Sequence, residues 1–311
     1  MVTVLSMAPS IDKRLELDGL LVGGTNRVRA WQADGAGKGI NVALGLAALS
    51  VPVMCIGVLA GGGDIVTDRL VRNGVAHAFI PTPGIVRTNY KLADVRGNVI
   101  TEINEPAPPV PTGLLEQAAG EAIRAAKDSR FLVLSGSLPS QCPAAFYANI
   151  IRRVKEEAPS CRVMLDTDGE RFRLGIRAAP FAIKPNLHEM ETEAGKKLSA
   201  IEERLTAARA VLASGPELVA LSMGAGGALA IGRTEAYFAP AIPIETVTTT
   251  GAGDAMVAGL LCGLLRGETL AGVLAHGAAA AAARCAGAGD RFIDPERYRA
   301  YLTKVTTRKI A

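Results

Sequence analysis

Short apolar runs alternate with longer stretches of helical periodicity along most of this chain. Residues 2–7, 53–58, 131–135, 162–166, 181–184, 218–222 and 228–231 are compact and rich in Val, Leu and Ile, and they predict strands. Residues 39–49, 112–127, 144–157, 187–195, 199–213, 253–265 and 270–285 predict helices; Ile40, Ala43, Leu44 and Ala47, for instance, follow the i, i+3, i+4, i+7 spacing of one helix face. Continuous apolar strands separated by helices imply a mainly parallel sheet covered on both faces. Ligands bind such sheets at the carboxyl ends of the strands. The loops Ser135-Gly136-Ser137, Asp166-Thr167-Asp168, Lys184-Pro185-Asn186 and Ser222-Met223-Gly224 fall there.

Two stretches break the alternation. Residues 15–32 and 85–103 are more polar and strand-like, with turns at Gly23-Gly24 and Gly97-Asn98. They predict a small extra sheet flanking the main one. No linker or internal repeat divides the 311 residues, so the expectation is one domain over 1–311 carrying that small sheet. No charge occurs from Gly39 to Gly63, but Pro52 and several glycines interrupt the stretch. A helix followed by a buried strand explains it better than a membrane span.

Charge and cysteine content narrow the function. With 34 basic and 30 acidic residues and no long basic run, the chain does not read as a nucleic-acid binder. Five widely spaced cysteines without a C-x-x-C pair fit reduced thiols in a cytoplasm rather than disulfides or a zinc site. His77, His188 and His276 are isolated in sequence. The N-terminal segment lacks the charge and apolar pattern of a secretory signal.

The run Thr248-Thr249-Thr250-Gly251-Ala252-Gly253-Asp254 is followed by eleven uncharged residues. Gly251 and Gly253 free the backbone, and the apolar run predicts a buried helix. A loop feeding a helix N-terminus offers backbone N–H groups to an anion. Asp254 beside a bound phosphate would be placed to take a proton from an attacking hydroxyl. The combination points to phosphoryl transfer to an alcohol, with Gly251, Ala252, Gly253 and Asp254 as catalytic candidates. A plain glycine turn with a capping carboxylate is the alternative.

Gly35-Ala36-Gly37-Lys38-Gly39 precedes the first predicted helix. It is neither a P-loop nor a G-x-G-x-x-G turn, yet a glycine turn with one lysine can hold a sugar and its phosphate, with Asn41 beside it. Arg87, Asn89 and Lys91 share one strand face by the period of two. Asn186 with Glu189 three residues later resembles a capping box, and Glu189 could also hold magnesium through water.

Taken together these motifs resemble the ribokinase-like (PfkB) family of carbohydrate kinases. Thr250 to Asp254 is similar to its C-terminal signature, and Gly37-Lys38-Gly39-Ile40-Asn41-Val42-Ala43 to its N-terminal one. Lys184-Pro185-Asn186 with Glu189 is similar to its N-x-x-E motif, and Ser222 to Gly227 to a nucleotide-binding loop. Ala8-Pro9-Ser10-Ile11-Asp12, Arg87 to Lys91, Thr101 to Pro106 and Ser135 to Pro139 resemble the branch containing 1-phosphofructokinase and tagatose-6-phosphate kinase.

The resemblance implies a ribokinase-like three-layer α/β core with a β lid. It also implies dimerisation through that lid, and an ATP- and magnesium-dependent kinase for a ketohexose phosphate. Asp12, Gly37, Asn41 and Asp254 would hold sugar hydroxyls. Lys38, Arg87 and Arg27 would hold the sugar's phosphate, with Ser137 nearby. Lys184, Asn186, Ser222, Gly224, Gly227, Thr249, Gly251 and Gly253 would line the ATP side, with Glu189 toward magnesium. Thr248 stands where relatives that bind potassium carry Asp, so the resemblance leaves a potassium requirement open. A kinase for an unphosphorylated sugar or nucleoside and a non-catalytic sugar-phosphate sensor are the competing readings. Among phosphorylated substrates, fructose 1-phosphate, tagatose 6-phosphate and fructose 6-phosphate stay open.

Overall fold

The computed structural model describes residues 1–97, 99–287 and 291–311. Asn98 lies outside them, so the expected second turn is described only as far as Gly97. The chain opens with β1 (Val2–Ser6), then β2 (Ser10–Leu17) and β3 (Ala30–Ala36) of the small sheet. α1 (Lys38–Ala48), β4 (Val53–Gly61), α2 (Asp64–Arg72) and β5 (Ala76–Ile85) follow, and β6 (Arg87–Asp94) and β7 (Val99–Asn104) return to the small sheet. The middle of the chain alternates: α3 (Thr112–Lys127), β8 (Phe131–Ser135), α4 (Phe146–Glu157), β9 (Arg162–Asp166), α5 (Gly169–Arg177), β10 (Ala182–Ile183), α6 (Leu187–Ala194), α7 (Ile201–Ala213) and β11 (Leu218–Ser222). β12 (Ala228–Ile231), β13 (Ala236–Ala239), α8 (Ala252–Arg266), α9 (Leu270–Cys285), α10 (Pro295–Leu302) and β14 (Arg308–Lys309) close it.

The large sheet has the order β14-β13-β12-β11-β10-β9-β8-β1-β4-β5. Pairing is parallel from β5 to β11 and antiparallel beyond it. The period of two sends alternate side chains to opposite faces. Phe131 and Val133 join the core under α1 and α8, while Leu132 and Leu134 join the core under α3 and α4. This is the three-layer arrangement the sequence predicts.

The strands of the small sheet, ordered β3-β2-β6-β7, are offset from the polar stretches: the first begins earlier and the second later. β2 starts at Ser10, and Ile85 still belongs to β5. The apolar content of 76–85 and the helix 64–72 were not anticipated, because both elements are half exposed and carry interrupting polar residues. The uncharged stretch from Gly39 to Gly63 spans most of α1, all of β4 and the turns around them. Among the described residues no helix is long and apolar enough to cross a membrane.

α8 is anchored by close packing. A Cβ added at Gly259 would lie 2.3 Å from the carbonyl oxygen of His276 on α9, so only glycine lets the two helices approach this far. The start of α8 is thereby fixed against the body of the protein.

Candidate active site

A cavity of about 460 Å³ opens at the carboxyl ends of the parallel strands, beneath the small sheet. Its floor combines the starts of α1 and α8 with the loops after β8, β9, β10 and β11. Its roof carries side chains from β2, β6 and β7. This is the position expected for ligands of a parallel α/β sheet.

Gly251 adopts a left-handed φ of 79° as the N-cap of α8, and Gly251, Gly253 and Asp254 all line the cavity. The first turn of a helix has N–H groups without intrahelical acceptors, which favours an anion there. Asp254 is buried, and Nδ2 of Asn41 donates to its Oδ2 at 2.8 Å. Burial, reinforced by the nearby Asp166 carboxylate, pushes its pKa up to about 6; Lys38, Asn41 and Lys184 pull the other way. A carboxylate near 6 is ionised at neutral pH and close enough to it to accept a proton productively.

Asp166, at the end of β9, is fully buried beneath two lysines. Nζ of Lys184 lies 3.3 Å and Nζ of Lys38 3.7 Å from its Oδ1, and Ser135 Oγ donates to Oδ2 at 3.3 Å. Burial alone would raise the Asp166 pKa, but the two ammonium groups and the hydroxyl outweigh it and hold it below the usual carboxylate range. In turn Asp166 keeps Lys38 firmly protonated against the effect of burial. The result is two fixed cations, Lys38 and Lys184, facing the same cavity as the α8 N-terminus. Such an array stabilises charge on a transferring phosphoryl group.

On the roof, Asp12 accepts from Lys91 Nζ at 2.7 Å, Asn89 Nδ2 at 3.0 Å and Ser10 Oγ at 3.2 Å. The carboxylate is therefore pre-oriented, and Lys91 is spoken for. Arg87 differs. Its Nη1 and Nη2 donate to the carbonyls of Glu105 and Ala8, its Nε is buried without a partner, and among the described residues it forms no ion pair. Burial lowers its pKa and Asp12 raises it. A guanidinium on the cavity wall without a carboxylate partner is suited to an anionic ligand.

Of the residues anticipated from sequence, Asp12, Gly37, Lys38, Asn41, Arg87, Ser137, Lys184, Asn186, Ser222, Gly251, Gly253 and Asp254 line the cavity together. Others do not. Arg27 sits on an exposed coil between β2 and β3. Ala252 and Thr249 flank the wall, and the backbone N–H of Ala252 donates to the Thr249 carbonyl. Gly224 and Gly227 bracket a short 3₁₀ turn after β11, further along the same edge. Glu189 completes a capping box: its Oε2 accepts from the Asn186 N–H, and Asn186 Oδ1 accepts from the Glu189 N–H, each at 2.8 Å. Among the described residues no cluster of three or more His, Cys, Asp or Glu could hold a metal.

Glu102, Asn104 and Asp168 also line the cavity; they lie in stretches singled out from sequence, but no individual role was assigned to them there. Glu102 and Asn104 alternate on β7, and that period of two was the available signal. Asp168 and the buried Asp166 lie at the end of β9 and in the loop after it, a place that was legible, but their charge partners were not.

The pattern of the pfkB family carbohydrate kinases matches residues 6–297. The chain belongs to that family. This kinase is 35% identical over 317 aligned positions to 1-phosphofructokinase of Rhodobacter capsulatus, covering 99% of this chain and 98% of that protein. It is 32% identical to 1-phosphofructokinase of Escherichia coli K12, covering 79% and 78%. Phosphofructokinase-2 from Escherichia coli in complex with fructose-6-phosphate has the same fold, with a TM-score of 0.88 at 23% identity over 97% of this chain and 99% of that one. The ribokinase-like core and lid expected from sequence are therefore present, and the chain is a phosphotransferase acting on an alcohol group of a sugar.

Proposed function

We propose that this kinase transfers the γ-phosphoryl group of ATP to the free C6 hydroxyl of fructose 1-phosphate, giving fructose 1,6-bisphosphate and ADP. The observation that carries the reading is the meeting, in one cavity, of Asp254 at the α8 N-terminus and Arg87 without a carboxylate partner. The likeness to proteins named 1-phosphofructokinase supports the choice of substrate.

Asp12 and Asn41 hold sugar hydroxyls, and Arg87 and Lys38 hold the phosphate the sugar already carries. Asp254 takes the proton of the attacking hydroxyl as its oxygen bonds to the γ-phosphorus and the bond to the ADP oxygen breaks. Backbone N–H groups at Gly251 and Gly253, with Lys184, stabilise the charge on the transferring group. The nucleotide lies along Asn186, Ser222 and the 3₁₀ turn at Gly224–Gly227, with Thr249 at the loop approach.

The donor set fits magnesium that arrives with the nucleotide, since such an ion is held by phosphates, waters and one or two carboxylates. Glu189 would hold it through water, its Oε2 being fixed by the cap. When bound, magnesium neutralises charge on the phosphate oxygens. No potassium requirement is proposed, because Thr248 provides a hydroxyl, used by the Thr250 N–H at 3.1 Å, and no carboxylate.

A second copy of the chain covers the lid. Val22, Val28 and Trp31 of the lid are 89%, 44% and 67% exposed, apolar surface that a second copy removes from water.

A coupled assay of ADP release with fructose 1-phosphate, tagatose 6-phosphate, fructose 6-phosphate and free fructose tests the reading. The highest kcat/KM is expected for fructose 1-phosphate. Preference for another phosphate replaces the substrate, preference for free fructose moves the enzyme to the unphosphorylated-sugar class, and no turnover at all favours a sensor.

A further inference from the structure

Arg284, at the end of α9, does not line the cavity, yet it touches the catalytic loop from outside. Its Nε donates to the carbonyl oxygen of Thr250 at 3.0 Å. Its Nη1 is 3.5 Å from the carbonyl oxygen of Phe292, and the guanidinium lies 4.7 Å from the centroid of the Phe292 ring. A Cβ at Gly251 would come within 2.9 Å of that ring and 3.4 Å of Arg284 Nε, so the loop is pressed directly onto the stacked pair. The neighbouring carbonyl of Cys285 accepts from the N–H groups of Val247 and Thr248 at 2.9 and 3.2 Å. The end of α9 thus grips the approach to the glycine loop at Val247, Thr248 and Thr250.

The carbonyl of Thr250 and the N–H of Gly251 belong to one peptide unit. In a trans peptide the two point in opposite directions. Pinning the carbonyl to a half-buried cation therefore aims the Gly251 N–H the other way, and Gly251 lines the cavity. The same contact polarises the peptide and strengthens the N–H as a donor. Arg297, itself exposed, closes the end of α9, its Nη1 donating to the carbonyls of Ala286 and Gly287. The Thr250 carbonyl thus faces a fixed, half-buried positive charge, the partner that a bound monovalent cation would otherwise be.

We propose that Arg284 is a positioning residue that serves as a built-in cation: it orients the Gly251 N–H toward the transferring phosphoryl group and makes turnover independent of added monovalent cations. This rests on the kinase reading of the cavity.

The test compares wild type, R284A, R284K and R284Q in potassium chloride, in choline chloride and in added guanidinium chloride at matched ionic strength. Wild-type kcat should be equal in potassium and choline salts. R284A in choline should lose kcat on the order of 10²-fold, the scale of a misaimed catalytic donor, with KM for the sugar phosphate little changed. Guanidinium or potassium should restore part of that loss, and R284K should exceed R284Q. A purely structural arginine would give no response to the cation. A wild type that needs potassium, an R284A that keeps its kcat in choline, or R284A insensitive to both cations would overturn the proposal. Should R284A fail to fold, the Lys and Gln variants decide, and equal rates for them overturn it as well. Absence of wild-type turnover on every sugar phosphate would instead sink the reading of the site, leaving the two failures distinct.

Discussion

Asn41 Nδ2 donates to Asp254 Oδ2 at 2.8 Å across 213 residues of sequence, joining the first turn of α1 to the first turn of α8. Two glycine loops from opposite ends of the chain thereby meet at one carboxylate. D254N keeps the shape and removes the proton acceptor, so kcat should fall by roughly 10²–10⁴ with a smaller change in sugar binding. Steady-state kinetics with near wild-type kcat for D254N would show that another group takes the proton.

The Asp254 pKa, pushed up to about 6, sets a pH limb. The base must be ionised to act, so kcat/KM should fall below about pH 6, by about tenfold per pH unit. The Asn41 hydrogen bond favours the carboxylate, so N41A should move the limb to higher pH. A pH–rate profile that is flat down to pH 5, or a limb that moves downward in N41A, contradicts the assignment.

The same raised pKa bears on stability. The folded protein holds the proton more tightly than the unfolded chain, so this group favours folding below its ordinary value of 3.8 and that contribution is lost as pH rises through about 6. At neutral pH the buried charge therefore costs on the order of 3 kcal/mol, at about 1.36 kcal/mol per pKa unit. D254N should be more stable than wild type at pH 7 and should lose that advantage near pH 4. Thermal melts at the two pH values check this; equal Tm differences at both would argue that the carboxylate is not strained by burial.

Arg87 is expected to grip the phosphate of the substrate. Charge-assisted hydrogen bonds are worth roughly 1.5–3 kcal/mol. At about 1.4 kcal/mol per decade, R87A should lower kcat/KM for fructose 1-phosphate by roughly one to two decades. The low activity on free fructose should barely change. Equal losses on both sugars would show that Arg87 serves the lid, through its bonds to the Ala8 and Glu105 carbonyls, rather than the phosphate.

Lid dimerisation predicts a mass of two chains by light scattering at micromolar concentration. V22D, on the exposed coil of the small sheet, should shift the species toward monomer. A wild-type protein that is already monomeric would remove the interface from the free enzyme.

Much of the scaffold was legible in sequence, because burial on both faces leaves continuous apolar strands and the helices carry their own period. β8, β9, β11 and β12 and helices α3 and α9 fall at the residues their patterns predict. The glycines before α1 and α8 were legible too, since tight loops at helix starts demand a residue without Cβ. The sequence could also place Asp166 at a strand end and Arg87, Asn89 and Lys91 on one face. It could not say what those side chains would meet. Only the tertiary structure decided that Lys91 is consumed by Asp12 while Arg87 has no carboxylate, and that Asp166 lies buried between Lys38 and Lys184. It also brought Arg284 against the Thr250 carbonyl. The reason is physical: local pattern fixes which way a side chain points, whereas partners, burial and hence pKa arise from residues far apart in sequence that meet only when the sheet, the two helix starts and the lid are assembled.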